Sequence, residues 1–213
     1  DRLTRAQLPG ELIAAAVASM PGVADALEDG GRVLDVGCGF GYPTTAITSR
    51  FKAATIVGVD YHPRSVEEAR RTAQVAGVGD RVAFAVAAAT DLPGSNYDLV
   101  TFFDSLHDFG DPLAALRAAR AVLAPGGAVL VCDNDAAEQV VDNLNPVGRM
   151  YYAVSTLICT PNALSQQGPG AAEPLGTYAG AARITEVARE AGFTRATRLT
   201  VPDALNLFLD LRP

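Results

Sequence analysis

Between positions 32 and 133, short apolar runs alternate with helix-like segments, and turn residues bound each of them. The runs at 32–36, 54–59, 81–87, 97–103 and 128–133 have strand length and are almost wholly apolar. Helical segments are expected at 44–51, with Pro43 in its first turn, at 63–76, stopped by Gly77, and at 111–123, closed by Pro125-Gly126-Gly127. The stretch DLPGSN at 91–96 has turn chemistry and joins the third and fourth runs. A strand with no polar face must be covered on both sides. The pattern therefore predicts a parallel sheet with helices on both faces.

After Asp133 the alternation breaks. Residues 134–182 hold short apolar segments and the Gly/Pro/Gln patch SQQGPGAAEPLG. A structureless loop of that length is uncommon in a compact domain, so a helical lid insertion after the fifth strand is expected, with a helix over 146–158. A helix at 183–191, ended by Gly192, and strands at 194–200 and 204–211 close the chain. Residues 1–30 read as leading helices, one with Leu8, Leu12, Ala15, Ala16 and Ser19 on a face. The 213 residues, 49% hydrophobic and 19% charged, suit a single domain: leading helices at 1–30, a cofactor-binding core at 31–133, the lid at 134–182 and a closing unit at 183–213.

A net charge of −7 opposes a nucleic-acid backbone as partner. No apolar run reaches the roughly 18 residues of a membrane span. Three widely spaced cysteines imply neither a disulfide framework nor a CxxC metal site, so a reducing cytoplasm is the expected compartment. Two histidines, distant in sequence from any cysteine, give no metal motif.

The first strand runs into VLDVGCGFGYP, where Gly37, Gly39 and Gly41 alternate with other residues behind Asp35. A dinucleotide turn needs a third glycine where Tyr42 stands, and a phosphate loop needs a lysine that is absent. A second acid, Asp60, ends the next strand in VGVDYHP. Carboxyl ends of adjacent strands are where open α/β sheets bind ligands, and a carboxylate there can accept both hydroxyls of a ribose. Glycines let the backbone approach the rest of the ligand, with loop amides expected to be free to bond a small zwitterion. Asp35 or Asp60 alone also fits a turn cap.

This arrangement resembles the class I S-adenosylmethionine-dependent methyltransferases. The resemblance covers residues 31–133 and includes D-x-G-x-G-x-G, the acid Asp60 and the entry LAPGGAVLV into the fifth strand. It implies a Rossmann-like, doubly wound, mostly parallel seven-stranded sheet with an antiparallel last strand, and S-adenosylmethionine as cofactor. By resemblance, Asp35 and the loop residues Gly37, Cys38, Gly39 and Gly41 flank the methionine moiety, Asp60 binds the ribose, and Tyr61 lies along the adenine. Many relatives place an acid where this chain has Ala88. The adenine amine then falls to Thr90, Asp91, backbone groups near Ala89, or water.

The resemblance also implies that the segment VTFFDSLHDFGDP faces the transferred methyl group, with Asp104, His107 and Asp108 nearest the chemistry. His107 is a candidate base; a structural histidine bonded in the turn is the alternative. Asp111 reads as a helix cap and His62 as a turn or surface residue. In the insertion, Asn143, Asn145, Tyr151, Tyr152 and Asn162 have the mix of aromatic and amide groups that a small-molecule pocket uses. Alternatively Met150, Tyr151, Val154, Leu157 and Ile158 form the buried face of one helix. The insertion and LHDFGDP are similar to a subgroup that carries a winged-helix domain ahead of the catalytic one. Asp1 in place of Met is expected of a fragment, and relatives of this kind dimerise through the preceding part.

The expected function is methyl transfer to an oxygen, nitrogen or carbon nucleophile of a small molecule, without metal. A cofactor-binding regulatory or structural module without turnover is the alternative, and an NAD-dependent oxidoreductase the weaker third reading.

Overall fold

The computed structural model describes residues 8–201 and 205–213. Two leading helices, α1 (Gly10–Ala18) and α2 (Val23–Glu28), precede β1 (Arg32–Val36), α3 (Tyr42–Arg50), β2 (Thr55–Asp60), α4 (Pro63–Val75), β3 (Val82–Val86) and β4 (Tyr97–Phe103). Then come α5 (Pro112–Ala121), β5 (Leu123–Asn134), α6 (Pro146–Val154), a π turn (Ser155–Cys159), α7 (Thr160–Ser165), α8 (Gly180–Glu190), β6 (Arg195–Arg198) and β7 (Asn206–Arg212). The sheet order is β3-β2-β1-β4-β5-β7-β6. Strands β1 to β5 pair in parallel, and β7 runs antiparallel between β5 and β6. The chain order reverses between β1 and β4, which opens a crevice at the carboxyl ends of both strands.

Successive residues of β4 feed opposite cores. Val100 and Phe102 pack with Leu116, Ile184 and Val187 on one face, while Leu99 and Phe103 pack with Ile13, Val17 and Ile47 on the other. This is the two-sided burial expected of apolar parallel strands. Helix α1 buries Ile13, Ala16 and Val17, a face rotated from the expected one: Ala15 and Ser19 are exposed.

Strand β5 begins five residues earlier than expected. Its ladder to β4 jumps from Tyr97↔Leu123 to Leu99↔Ala128, so Pro125, Gly126 and Gly127 form a bulge inside the strand. The expected start of the last strand, Ala204, lies outside the described residues.

The connection after β5 contains α6, the π turn and α7 as one continuous rod. Its inward residues are Tyr151, Ser155, Cys159 and Ala163, spaced by four. In a regular α-helix that spacing drifts about 40° per step, and the wider π turn takes up the drift. The phase turns Leu157 and Ile158 outward, at 77% and 62% exposure, so the apolar face expected of this helix is corrected.

Candidate active site

The β1–α3 loop is built around Asp35. Its carboxylate, 1% exposed, accepts hydrogen bonds from the Thr44 and Thr101 hydroxyls and so ties the loop to α3 and β4. Asp35 therefore sits beneath the loop and does not line the cavity above it, which corrects the expectation that it flanks the ligand. Burial, opposed by the two hydroxyls, raises its pKa to about 6.

That shift has a sign. A carboxyl whose folded pKa lies above its ordinary 3.8 stabilises the fold while protonated, and the contribution is lost as pH rises from about 4 through about 6. At about 1.4 kcal/mol per unit, roughly 3 kcal/mol is at stake. Asp35→Asn should therefore gain melting temperature relative to the parent between about pH 4 and pH 7. Melting curves that stay parallel across that range would contradict the assignment.

Gly37, Gly39 and Gly41 all have left-handed φ, between 52° and 76°. At Gly37 a Cβ would also lie 2.7 Å from the Ser105 Cβ, so no side chain fits there. At Gly39 a Cβ would meet no protein atom within 4 Å, and the residue borders the cavity. Four of the loop amides are already paired. Gly37 and Cys38 donate to the Val59 carbonyl, Gly41 to the Cys38 carbonyl and Gly39 to the Asp60 carboxylate at 3.0 Å. The expected set of open amide donors is thus reduced by a loop sewn to β2.

Asp60 ends β2 with one oxygen accepting from Gly39 and the other from the His62 amide, at 2.8 Å. A carboxylate has about four lone-pair positions, so acceptor capacity remains on both oxygens. The adjoining cavity measures about 730 Å³. Its lining includes the loop residues Gly37 to Phe40 with Asp60, Tyr61, His62 and Ala87–Thr90. Asp104, Ser105, Asp108, Phe109, Asn162 and Gln166 also line it, Ser105 and Phe109 standing against Gly37. Tyr61 is 52% exposed, with its ring available to a ligand. Gly41 and Asp91 are not on the cavity wall.

Asp104 borders the cavity with φ of 51°, a strained conformation for a residue with a side chain. Three residues on, His107 is 3% exposed and stands one layer behind the wall. Its Nδ1 lies 2.8 Å from Asp133 Oδ1, an oxygen that also accepts from the Asn134 amide. In the neutral ring an ionised Asp133 makes Nδ1 the protonated nitrogen and leaves Nε2 as the acceptor; in the charged ring both nitrogens donate. Burial favours a neutral ring, but the Asp133 carboxylate outweighs it and holds the His107 pKa well above its ordinary value. Nε2 is 3.6 Å from Asp108 Oδ1, and the Cys159 thiol joins the same cluster.

Of the insertion residues expected at a pocket, only Asn162 reaches this one. Asn143 is buried and bonds the backbone of Ala137 and Gln139; Asn145 caps α6 by accepting from Gly148. Tyr151 is buried with its hydroxyl on the Leu205 carbonyl, and Tyr152 stacks on Tyr178. These four build the insertion instead of lining the cavity. Gln166 was not foreseen: it borders the cavity and donates to the Asp108 carbonyl at 3.0 Å. Nor was Asp133, whose only signal was its place at the end of an apolar strand. All three cysteines are buried, and burial pushes the Cys38 and Cys159 thiols up, away from nucleophilic use. Among the described residues no helix is long and apolar enough to cross a membrane.

A methyltransferase-domain family model matches residues 27–192. The 27-O-demethylrifamycin SV methyltransferase of Amycolatopsis mediterranei is 32% identical over 162 residues, covering 71% of this chain and 59% of that protein. The erythromycin 3''-O-methyltransferase of Saccharopolyspora erythraea is 36% identical over 109 residues, covering 50% of this chain and 36% of that protein. The chain thus spans less than two thirds of these relatives. Among solved structures, an O-methyltransferase family protein from Burkholderia thailandensis superposes with a TM-score of 0.71 at 21% identity, covering 99% of this chain and 57% of that one. Human N-acetylserotonin methyltransferase, solved in complex with SAM, gives 0.69 at 20%, covering 99% and 53%. At these identities the two structures speak for the fold alone, whereas the family match extends over well over half of the sequence, from α2 through α8. The chain belongs to the methyltransferase-domain family.

Proposed function

We propose that the cavity binds S-adenosylmethionine and that the protein transfers its methyl group to a hydroxyl oxygen of a small organic acceptor. The observation that carries this reading is the pairing of Asp60 with the left-handed glycine loop on one wall of a single 730 Å³ cavity. That volume lies inside the roughly 300–1,000 Å³ range of small-molecule sites. The residues present fit the cofactor: Asp60 offers charged acceptors for a ribose, Tyr61 an aromatic face, and Gly39 leaves open space where any side chain would intrude. With Ala at 88 and Asp91 off the wall, Thr90 and the backbone of Ala87–Ala89 are the groups left to an adenine amine.

When bound, the cofactor supplies a methyl group activated by a sulfonium. The chain's part is to align and enclose. Asp104 and Asp108 face the acceptor side, Phe109 gives it an apolar wall, and Asn162 and Gln166 fix the acceptor-side turn through the Asp108 carbonyl. His107, oriented by Asp133 and standing behind Asp108, takes the acceptor's proton at Nε2 once the acceptor reaches past Asp108, and only as the neutral ring, so its raised pKa moves this step to higher pH. Residues 134–182 act as a lid on a single catalytic domain, since α7 brings Asn162 and Gln166 to the cavity. The relatives named as O-methyltransferases favour oxygen as the nucleophile.

The test is incubation with methyl-labelled S-adenosylmethionine and a set of phenols and hydroxylated metabolites. Label should appear in an organic product. Cofactor binding without label transfer to any acceptor would favour the module reading instead.

A further inference from the structure

The side of His107 that faces away from Asp133 has a second chemistry. Among the described residues, His107, Asp108 and Cys159 bring one ligand atom each to within 4.8 Å of one another. Sequence distance hid this group, because Cys159 arrives on the π turn of the insertion. Three features make the cluster more than a chance approach. The imidazole is already oriented from behind by a buried carboxylate, the outer-shell partner that metal-binding histidines usually have. Asp108 Oδ1 is buried and makes no well-formed hydrogen bond, its polar neighbours being the His107 ring nitrogen at 3.6 Å and the Cys159 thiol. The Asp108 turn is clamped through its carbonyl by Asn162 of α7, which begins directly after Cys159, and by Gln166 at that helix's end.

We propose that His107 Nε2, Asp108 Oδ1 and Cys159 Sγ form a binding site for a thiophilic divalent cation, zinc above all. A nitrogen, a sulfur and an oxygen suit a borderline-soft ion, and three protein ligands leave a fourth position for water. Asp108 also borders the large cavity, so the fourth position opens towards it. Zinc bonds of about 2.0–2.3 Å put tetrahedral ligands roughly 3.3–3.8 Å apart, so the site closes with shifts of about 1 Å or less. The Cys159 thiol and, where the ring is charged, His107 Nε2 each give up a proton to solvent on binding. The oxygen-rich group of Asp104, His107 and Asp133 is the weaker alternative, because there Nδ1 carries a proton that it donates to Asp133. Zinc on Nε2 would pin the π turn to the β4–α5 turn and occupy the lone pair assigned above to the acceptor's proton. Only that inhibitory consequence rests on the proposed function; the metal site does not.

Cobalt(II) serves as the visible probe. The chelator-treated full chain should develop tetrahedral d–d bands with a thiolate-to-cobalt charge-transfer band, and zinc should displace both and raise the melting temperature. The charge-transfer band should vanish in Cys159→Ser and persist in Cys38→Ala. Asp108→Asn should weaken binding roughly tenfold or more. Absence of both the bands and the zinc-dependent melting shift in the parent chain overturns the proposal, as does a charge-transfer band that survives Cys159→Ser. If Cys159→Ser does not fold, Asp108→Asn decides, because its side chain is more than a third exposed: unchanged affinity overturns the site.

Discussion

Replacing His107 by glutamine should lower the turnover of methyl transfer about 10²–10⁴-fold, the range of a positioned acid–base group. S-adenosylhomocysteine affinity should hardly change, because His107 stands behind the acceptor side of the cavity, away from the Asp60 wall. The effect should fall on kcat more than on KM, since a base acts in the transition state. Glutamine keeps polar atoms near Asp133 but offers no nitrogen that accepts a proton. Asp133→Asn is the companion variant. It keeps the volume, loses the charge that fixes the Nδ1 proton, and should reduce turnover with the same split. The melting temperature separates a lost base from a lost ion pair. A decrease of less than about fivefold in a folded His107→Gln protein would assign the residue to turn structure and leave catalysis to alignment.

Replacing Asp60 by alanine should weaken S-adenosylhomocysteine binding by about 10- to 150-fold, the equivalent of a lost charged acceptor worth about 1.5–3 kcal/mol. Two losses combine. The ribose hydroxyls lose their carboxylate, and the Gly39 and His62 amides lose the acceptor that holds the loop in place. Asp60→Asn keeps one carbonyl oxygen and should fall between the parent and the alanine variant. Equal affinity in all three would mean that the cofactor lies elsewhere.

The sheet and the Asp60 wall were legible because their signals are local. Two-sided apolar runs and turn residues set the strands, and an acid at the end of the second strand stands beside the glycine loop in any parallel pairing of β1 with β2. Asp35 was legible as important but not in its role, because nothing in D-x-G-x-G-x-G says that Thr44 and Thr101 will consume its oxygens. Three of the loop amides are closed for the same reason: the acceptors of Gly37, Cys38 and Gly39, namely Val59 and Asp60, come from the next strand. The insertion was the least legible. Its phase depends on a π turn that no periodicity announces, so Leu157 and Ile158 came out exposed while Cys159 turned inward to meet His107. Asparagine and tyrosine looked like pocket chemistry there. In the fold most of them satisfy backbone groups, a use of polar side chains that sequence alone does not separate from ligand binding.

Isothermal titration of the chain with S-adenosylhomocysteine, run beside the Asp60→Ala variant and an NAD control, tests the cofactor assignment most directly. Saturable binding to the parent chain is expected, with a loss of at least about tenfold in affinity in the variant and no heat with NAD. A folded parent chain that gives no binding heat and no melting shift at millimolar S-adenosylhomocysteine would contradict the assignment.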